Sequence, residues 1–405
     1  MNGTSRIWDK YKGTLSAAIS ATPEERRIMR SFSISELTTI SNFRYLSGLM
    51  GATMVCYWAR EQGILDALPE DKSFGEEEFR QLLEEAKNYH LEGVARHKAA
   101  YSLLRILTES GHISEDVSDG VIHYRLVNRR VHNLPRLTAG EARYAERNFA
   151  GLFAFYERCL ESMDDFLRVE KPSFDYTADF AHLWQGFLGN PSQLFVKRYL
   201  YRSLKLPEAG KGLQAFVIAF GQGYDIYELL AEYPDIQITT IDYVDDHVPV
   251  IREELKKRFG SDRQVEFIPS ADWTSDGNKG FGVNLPLPEA RFDLVIGNSF
   301  DAAIPEGRRE FVWQDLTRLL KPGGKTGATE ANLPREDTIG KQDKWQRLYL
   351  FSHNFIESVT SDFVGFPYFD ETLSMFERLG YTAEPFGSSS LNMFNGFVWR
   401  MALKG

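Results

Sequence analysis

The chain has 405 residues, 43% of them hydrophobic and 26% charged, and a net charge of -10. That is the balance of an ordinary globular protein with room for two or three domains, and its acidic surplus argues against nucleic acid, because no excess of Lys and Arg offsets the phosphates. Two cysteines, Cys56 and Cys159, are too few for a disulfide scaffold or a cysteine zinc site and fit a reducing compartment.

Met1 to Lys10 lacks an apolar core, so no secretory leader is expected. No run has the length of a membrane span. A cytoplasmic protein with no membrane partner is the expectation. Ile40 to Leu68 shows a long helical pattern that Gly51 should break, and Gly63 and Pro69 should end it. Ser73 stands three residues before Glu76, the spacing of a capping box. His97 to Gly111 is amphipathic, with Leu103, Leu104, Ile106 and Leu107 facing inward. Asp119-Gly120 signals a hairpin, and Val121 to Leu126 is the strand after it. Helices closed by a small hairpin read as a winged-helix unit, often a DNA reader. Here Glu109, Glu115, Asp116 and Asp119 crowd the wing and argue against DNA.

Residues 140–206 are again helical and rich in aromatics. Most belong to a core, and Trp184 and Phe187 are candidates to line an apolar substrate pocket. Leu206 to Gly212 reads as a linker, giving a helical domain over 1–206 and a second domain over 207–405.

From Leu213 the pattern changes to alternating strands and helices. Phe216 to Phe220 is a buried strand that ends in Gly221-Gln222-Gly223, a tight turn that lets backbone approach a ligand. Asp225 to Ala231 has helical spacing, and Ile236 to Ile241 is a second strand with Asp242 directly after it. Strand, glycine turn, helix, strand and acid make the βαβ unit of a doubly wound sheet. Its ligand sits beyond the carboxyl ends of the strands, where the acid accepts from ribose hydroxyls. Val265 to Pro269 and Phe292 to Ile296 read as further strands. A helix over Glu310 to Leu320 should stop at Lys321-Pro322-Gly323-Gly324-Lys325. A short strand then ends near Glu330. Trp345 to Val359 and Tyr368 to Leu379 are helical, and Phe397 to Ala402 is the last strand. The sequence shows no metal-ligand spacing among His, Asp and Glu.

These segments together resemble the class I methyltransferases that use S-adenosylmethionine, in their two-domain small-molecule O-methyltransferase form. The resemblance covers roughly residues 45–405. It rests on Gln62-Gly63-Ile64-Leu65-Asp66-Ala67-Leu68, on the Gly221-x-Gly223 turn with Asp242, on Lys321-Pro322-Gly323-Gly324-Lys325, and on Leu379-Gly380-Tyr381, in that order. It implies a Rossmann-like doubly wound sheet behind an N-terminal all-helical, winged-helix-like dimerisation domain, and hence a homodimer. It implies S-adenosylmethionine held by Ala219, Gly221, Gly223, Asp242 and Tyr243, by Asp272 and Trp273 at the adenine, and by Asn298. Val217 stands where the family carries an acid. Ala302 stands where it carries its catalytic histidine, and Glu330 where a carboxylate orients that histidine. Glu330, Asp301 and His353 are therefore the candidate acid–base residues.

The expected function is methylation of a small, largely apolar molecule of secondary metabolism. Loss of the acid and the histidine keeps two alternatives open. One is a non-methylating step, such as a cyclisation or pericyclic reaction, on the same fold. The other is a non-catalytic ligand-binding protein.

Overall fold

The computed structural model describes residues 21–130, 132–169, 186–219, 221–242, 245–270, 285–335, 342–360, 363–386 and 397–403, with residues 19 and 339. In chain order the elements are α1 (Pro23–Met29), α2 (Ile34–Glu61), α3 (Glu76–Lys87), α4 (Val94–Glu109), β1 (Ile113–Ser118), β2 (Val121–Leu126), α5 (Ala139–Glu161), α6 (Met163–Arg168) and α7 (Pro191–Ser203). Then follow β3 (Gln214–Ala219), α8 (Tyr224–Glu232), β4 (Gln237–Asp242), α9 (His247–Phe259), β5 (Val265–Ile268), β6 (Phe292–Gly297), α10 (Glu306–Arg318) and β7 (Leu320–Glu330). The chain ends with α11 (Lys344–Glu357), α12 (Phe369–Arg378), β8 (Tyr381–Phe386) and β9 (Phe397–Leu403).

Two compact units emerge, one of Met1–Ser41, Trp184–Arg335 and Phe366–Gly405, the other of Asn42–Leu183 and Glu336–Gly365. The division therefore does not fall at residue 206. Ion pairs explain why α7 goes with the sheet: Arg198 reaches Glu228 at 2.5 Å and Arg202 reaches Glu232 at 2.6 Å, both on α8. Phe32, just after α1, packs on Phe195 of α7 with ring centroids 4.3 Å apart.

In the first unit a seven-stranded sheet runs β5-β4-β3-β6-β7-β9-β8. β3 pairs in parallel with β4 and β6, β4 with β5 and β6 with β7, while β9 runs antiparallel to β7 and β8. Parallel strands are covered on both faces, which is why β3 and β6 are apolar runs rather than alternating ones. Ala215, Val217, Leu294 and Ile296 enter one core layer with α7 and α8, and Phe216, Ile218, Phe292 and Val295 enter the other with α10 and α12.

Among its described residues, the second unit's regular elements are helices and the β1–β2 hairpin. Asp119 and Gly120 carry it at φ 54° and 75°, the two positive values a two-residue type I′ turn demands. Helix α11 is the buried centre: Asn354 Nδ2 donates to Ser102 Oγ at 2.9 Å, and Arg347 pairs with Glu109 at 2.6 Å. Among the described residues no helix is long and apolar enough to cross a membrane.

Three local expectations are corrected. Gly51 does not break α2, which runs through it. Glycine there serves close helix packing, since a Cβ would lie 2.9 Å from Ser352 Cβ. Ser73 does not cap α3, because Phe74 exchanges backbone hydrogen bonds with Tyr124 at 2.9 and 2.8 Å, and the helix starts later with Gly75 as its N-cap. Lys321 to Lys325 does not precede β7 but bulges within it: pairing with β6 shifts register between Phe292 and Leu294, and Gly323 sits at φ 73°.

A Cβ on Gly48 would lie 2.3 Å from the Trp345 carbonyl oxygen. Gly48→Ala is therefore expected to destabilise the chain by about 1–3 kcal/mol, an overpacking cost. Gly140→Ala, where nothing lies within 4 Å, should be neutral or stabilise by up to about 1 kcal/mol. Chemical denaturation of both variants checks the contrast.

Candidate active site

The carboxyl ends of β3, β4, β6 and β7 gather the polar groups of the first unit. β3 ends at Ala219, whose Cα partner across the ladder is Asp242 at the end of β4. The chain leaves β3 through Gly221 and Gly223 at φ 80° and 75°, values that favour glycine. The Gly223 N–H donates to the Gly221 carbonyl at 2.9 Å, and Gly223 caps α8. A Cβ on Gly223 would lie 3.0 Å from Ile251, and one on Gly221 would lie 3.3 Å from Leu188. The turn therefore presents backbone. Phe187, beside Leu188, is buried.

Asp242 is 4% exposed, and His247 Nδ1 at the start of α9 lies 3.4 Å from its Oδ1. Val217, where an acid would be expected by resemblance, is wholly buried in the apolar layer.

A buried polar cluster joins α7, α8, β6 and β7. Lys197 Nζ donates to both Oδ1 and Oδ2 of Asp225 at 2.7 Å. Tyr201 Oη donates to Asp225 Oδ1 at 3.0 Å, and Asn298 Nδ2 donates to the same oxygen. Asn298 Oδ1 accepts from the Thr329 N–H at 2.8 Å. Burial, then the Asp225 charge, push the Tyr201 phenol well above its ordinary value. The phenol thus acts as a neutral donor. Sequence reasoning named Asn298 but missed Lys197 and Asp225. A lysine inside the apolar run of α7 was the available signal.

The second cluster is a pair of acids. Ser299 turns the chain after β6 in the left-handed region at φ 57°, and its N–H donates to the Thr329 carbonyl at 2.7 Å. Asp301 is thereby brought against Glu330 at the end of β7. Asp301 is fully buried: its Oδ1 accepts from Trp313 Nε1 at 2.7 Å, and its Oδ2 has no hydrogen-bond partner among the described residues. Glu330 is 2% exposed, accepts from the backbone N–H groups of Phe300 and Asp301, and leaves Oε1 without a partner among the described residues. Burial pushes Asp301 up to about 6, against the pull of Arg309 and Trp313. Burial, then the Asp301 charge, push Glu330 well above the carboxylate range. Two carboxylates so placed cannot both be charged in a dry site. Ala302 is buried beside them and offers no proton-bearing group. Arg309 Nε donates to the Asp301 carbonyl at 2.9 Å, and the same side chain lines a cavity of about 230 Å³ with Glu310, Glu371 and Arg378.

His353 belongs to the helical unit, on α11. Its Nδ1 lies 2.9 Å from Tyr156 Oη and its Nε2 2.9 Å from Glu357 Oε2, with the ring stacked on Tyr349 at 5.4 Å. Both ring nitrogens thus have partners within that unit. Trp184, Tyr243, Asp272 and Trp273 lie outside the described residues. Among the described residues no group of His, Cys, Asp and Glu is placed to hold a metal ion.

No family model matches the chain, and no curated protein matches it. Solved structures do share its architecture. The CurJ carbon methyltransferase superposes with a TM-score of 0.56 at 13% identity, over 96% of this chain and 98% of that one. The DszA carbon methyltransferase gives 0.56 at 14% identity, over 92% and 94%. An O-methyltransferase family 2 protein from Planctomyces limnophilus, solved with apigenin, gives 0.52 at 14%, over 91% and 96%. The fold of this chain is that of the class I methyltransferases with an N-terminal helical domain.

The acid pair carries a pH signature. Both carboxyls titrate higher in the folded chain than in the unfolded one, where they titrate near 4. Their contribution is therefore full below that value and is lost as pH rises through about 6 for Asp301, the upward shift of Glu330 acting in the same direction. Glu330→Gln keeps an acceptor for the two backbone N–H groups and adds a permanent donor. It should gain on the unmutated chain by about 1.4 kcal/mol for each unit of upward shift removed. Thermal unfolding at pH 5 and pH 8 checks this, and a difference that does not grow with pH contradicts it.

Proposed function

We propose that the chain binds S-adenosylmethionine at the carboxyl edge of the sheet and transfers its methyl group to a small, largely apolar molecule. The observation that carries this is the Gly221–Gly223 turn opening α8, beside the buried carboxylate of Asp242, in a sheet of class I methyltransferase order. The residues fit the cofactor: a turn of two positive-φ glycines that presents backbone, and an acid placed for ribose hydroxyls. Bound there, the cofactor supplies an electrophilic methyl group on a sulfonium. Ala219, Gly221 and Gly223 provide the cradle. Tyr243, Asp272 and Trp273 are assigned to the ribose and adenine from the resemblance alone.

The protein's task is alignment of the acceptor and disposal of its proton. We assign the proton to Asp301 and Glu330, two buried carboxyls that act as one acid–base pair. Both nitrogens of His353 are engaged, so its assigned role is to order α11. Phe187 and Trp184 are assigned to the apolar substrate wall. Similar structures bearing the names of carbon methyltransferases, and one solved with apigenin, support a small organic acceptor.

The second reading is a non-methylating reaction on the same fold. Ala302 in place of the expected histidine favours it, as does a carboxyl held neutral at Glu330, since such a group donates a hydrogen bond to a substrate oxygen rather than removing a proton. The proposal extends to a winged-helix-like dimerisation role for the helical unit, a homodimer, a cytoplasmic location and a place in secondary metabolism.

Calorimetric titration with S-adenosylmethionine tests the leading reading. Asp242→Ala removes charge-assisted hydrogen bonds of about 1.5–3 kcal/mol, so affinity should fall by about 10–100-fold. An unmutated chain that fails to bind, or a variant that binds equally well, overturns it. Binding without formation of S-adenosylhomocysteine on the true acceptor selects the second reading.

A further inference from the structure

The amino-acid end of S-adenosylmethionine carries an ammonium and a carboxylate, and the strand before the glycine turn offers neither a partner. Val217 lies fully buried among Tyr199, Ile226 and Ile296. The charge missing there is present two residues beyond Gly223, in the first turn of α8. Asp225 and Lys197 are each 3% exposed, yet they form a full ion pair at 2.7 Å between α7 and α8, the two helices that pack in Val217's core layer. Two of the three ammonium protons of Lys197 go to Asp225, which leaves one to donate. Asn298, at the tip of β6, locks the pair to the edge where the ligand is proposed to lie.

Taking two charges out of water costs several kcal/mol per ion, and apolar residues of similar volume often serve packing as well or better. An ion pair retained at a ligand turn thus has a use besides packing. A zwitterion is the ligand group whose charges match both members.

We propose that Lys197 and Asp225 form the receptor for the zwitterionic amino-acid group of the cofactor, replacing the acid absent at Val217. The remaining Lys197 proton takes the ligand carboxylate, and Asp225 takes the ammonium. This rests on the reading that S-adenosylmethionine binds at this edge.

The test uses two ligands on the full chain. 5′-Methylthioadenosine keeps the nucleoside and the sulfur and lacks the amino-acid group. Lys197→Met should weaken S-adenosylmethionine by about tenfold or more while changing 5′-methylthioadenosine by less than about twofold. The second ligand thereby reports that the variant is folded. Asp225→Asn should show the same selective loss. Equal losses for both ligands, or undiminished S-adenosylmethionine affinity, overturn the proposal and leave the nucleoside site standing. An unmutated chain that binds neither ligand removes the underlying reading and this proposal with it.

Discussion

The parallel pairing of β3 with β4 on one side and β6 on the other is the constraint on which the rest depends. Strand order runs outward in both directions from β3, so the connections leaving β3 and β6 diverge. In sheets of this kind ligands bind beyond the carboxyl ends at such a switch point. Register makes the edge specific. Ala219 faces Asp242 across the ladder, which sets the glycine turn beside a carboxylate. Ile296 faces Gly327, which brings β7 to its end at Glu330 where the chain after β6 folds back through Ser299.

The sheet unit buries charge at this edge in two different ways. Lys197 and Asp225 neutralise each other with opposite charges, helped by Tyr201 and Asn298. Asp301 and Glu330 carry like charges, and a proton neutralises them instead. The first arrangement pairs opposite charges and suits a charged ligand group. The second titrates and suits proton transfer. Their separation along one edge matches a reaction with a charged, permanent ligand end and a neutral, reacting end.

What was legible in the sequence was local. The buried run of β3, the glycine turn and the acid that ends β4 are all fixed by neighbours a few residues away, and the sequence shows them as one unit. The local errors arose where a distant partner won. Tyr124 held Phe74 extended and displaced the cap expected at Ser73. The close approach of Ser352 explains a glycine at position 51 that propensity alone read as a break. Asp301 and Glu330 were visible singly, but their pairing needs the register of β6 on β7. Lys197 and Asp225 stand 28 positions apart, and nothing in either segment announces the other.

The proposed cofactor site puts a nucleoside across this carboxyl edge with its sugar on Asp242. A crystal structure of the chain soaked with S-adenosylhomocysteine measures that directly. Density is expected over the Gly221–Gly223 turn, with both ribose hydroxyls within hydrogen-bond distance of the Asp242 carboxylate. Density elsewhere on the chain, or a ribose that leaves Asp242 untouched, would contradict it.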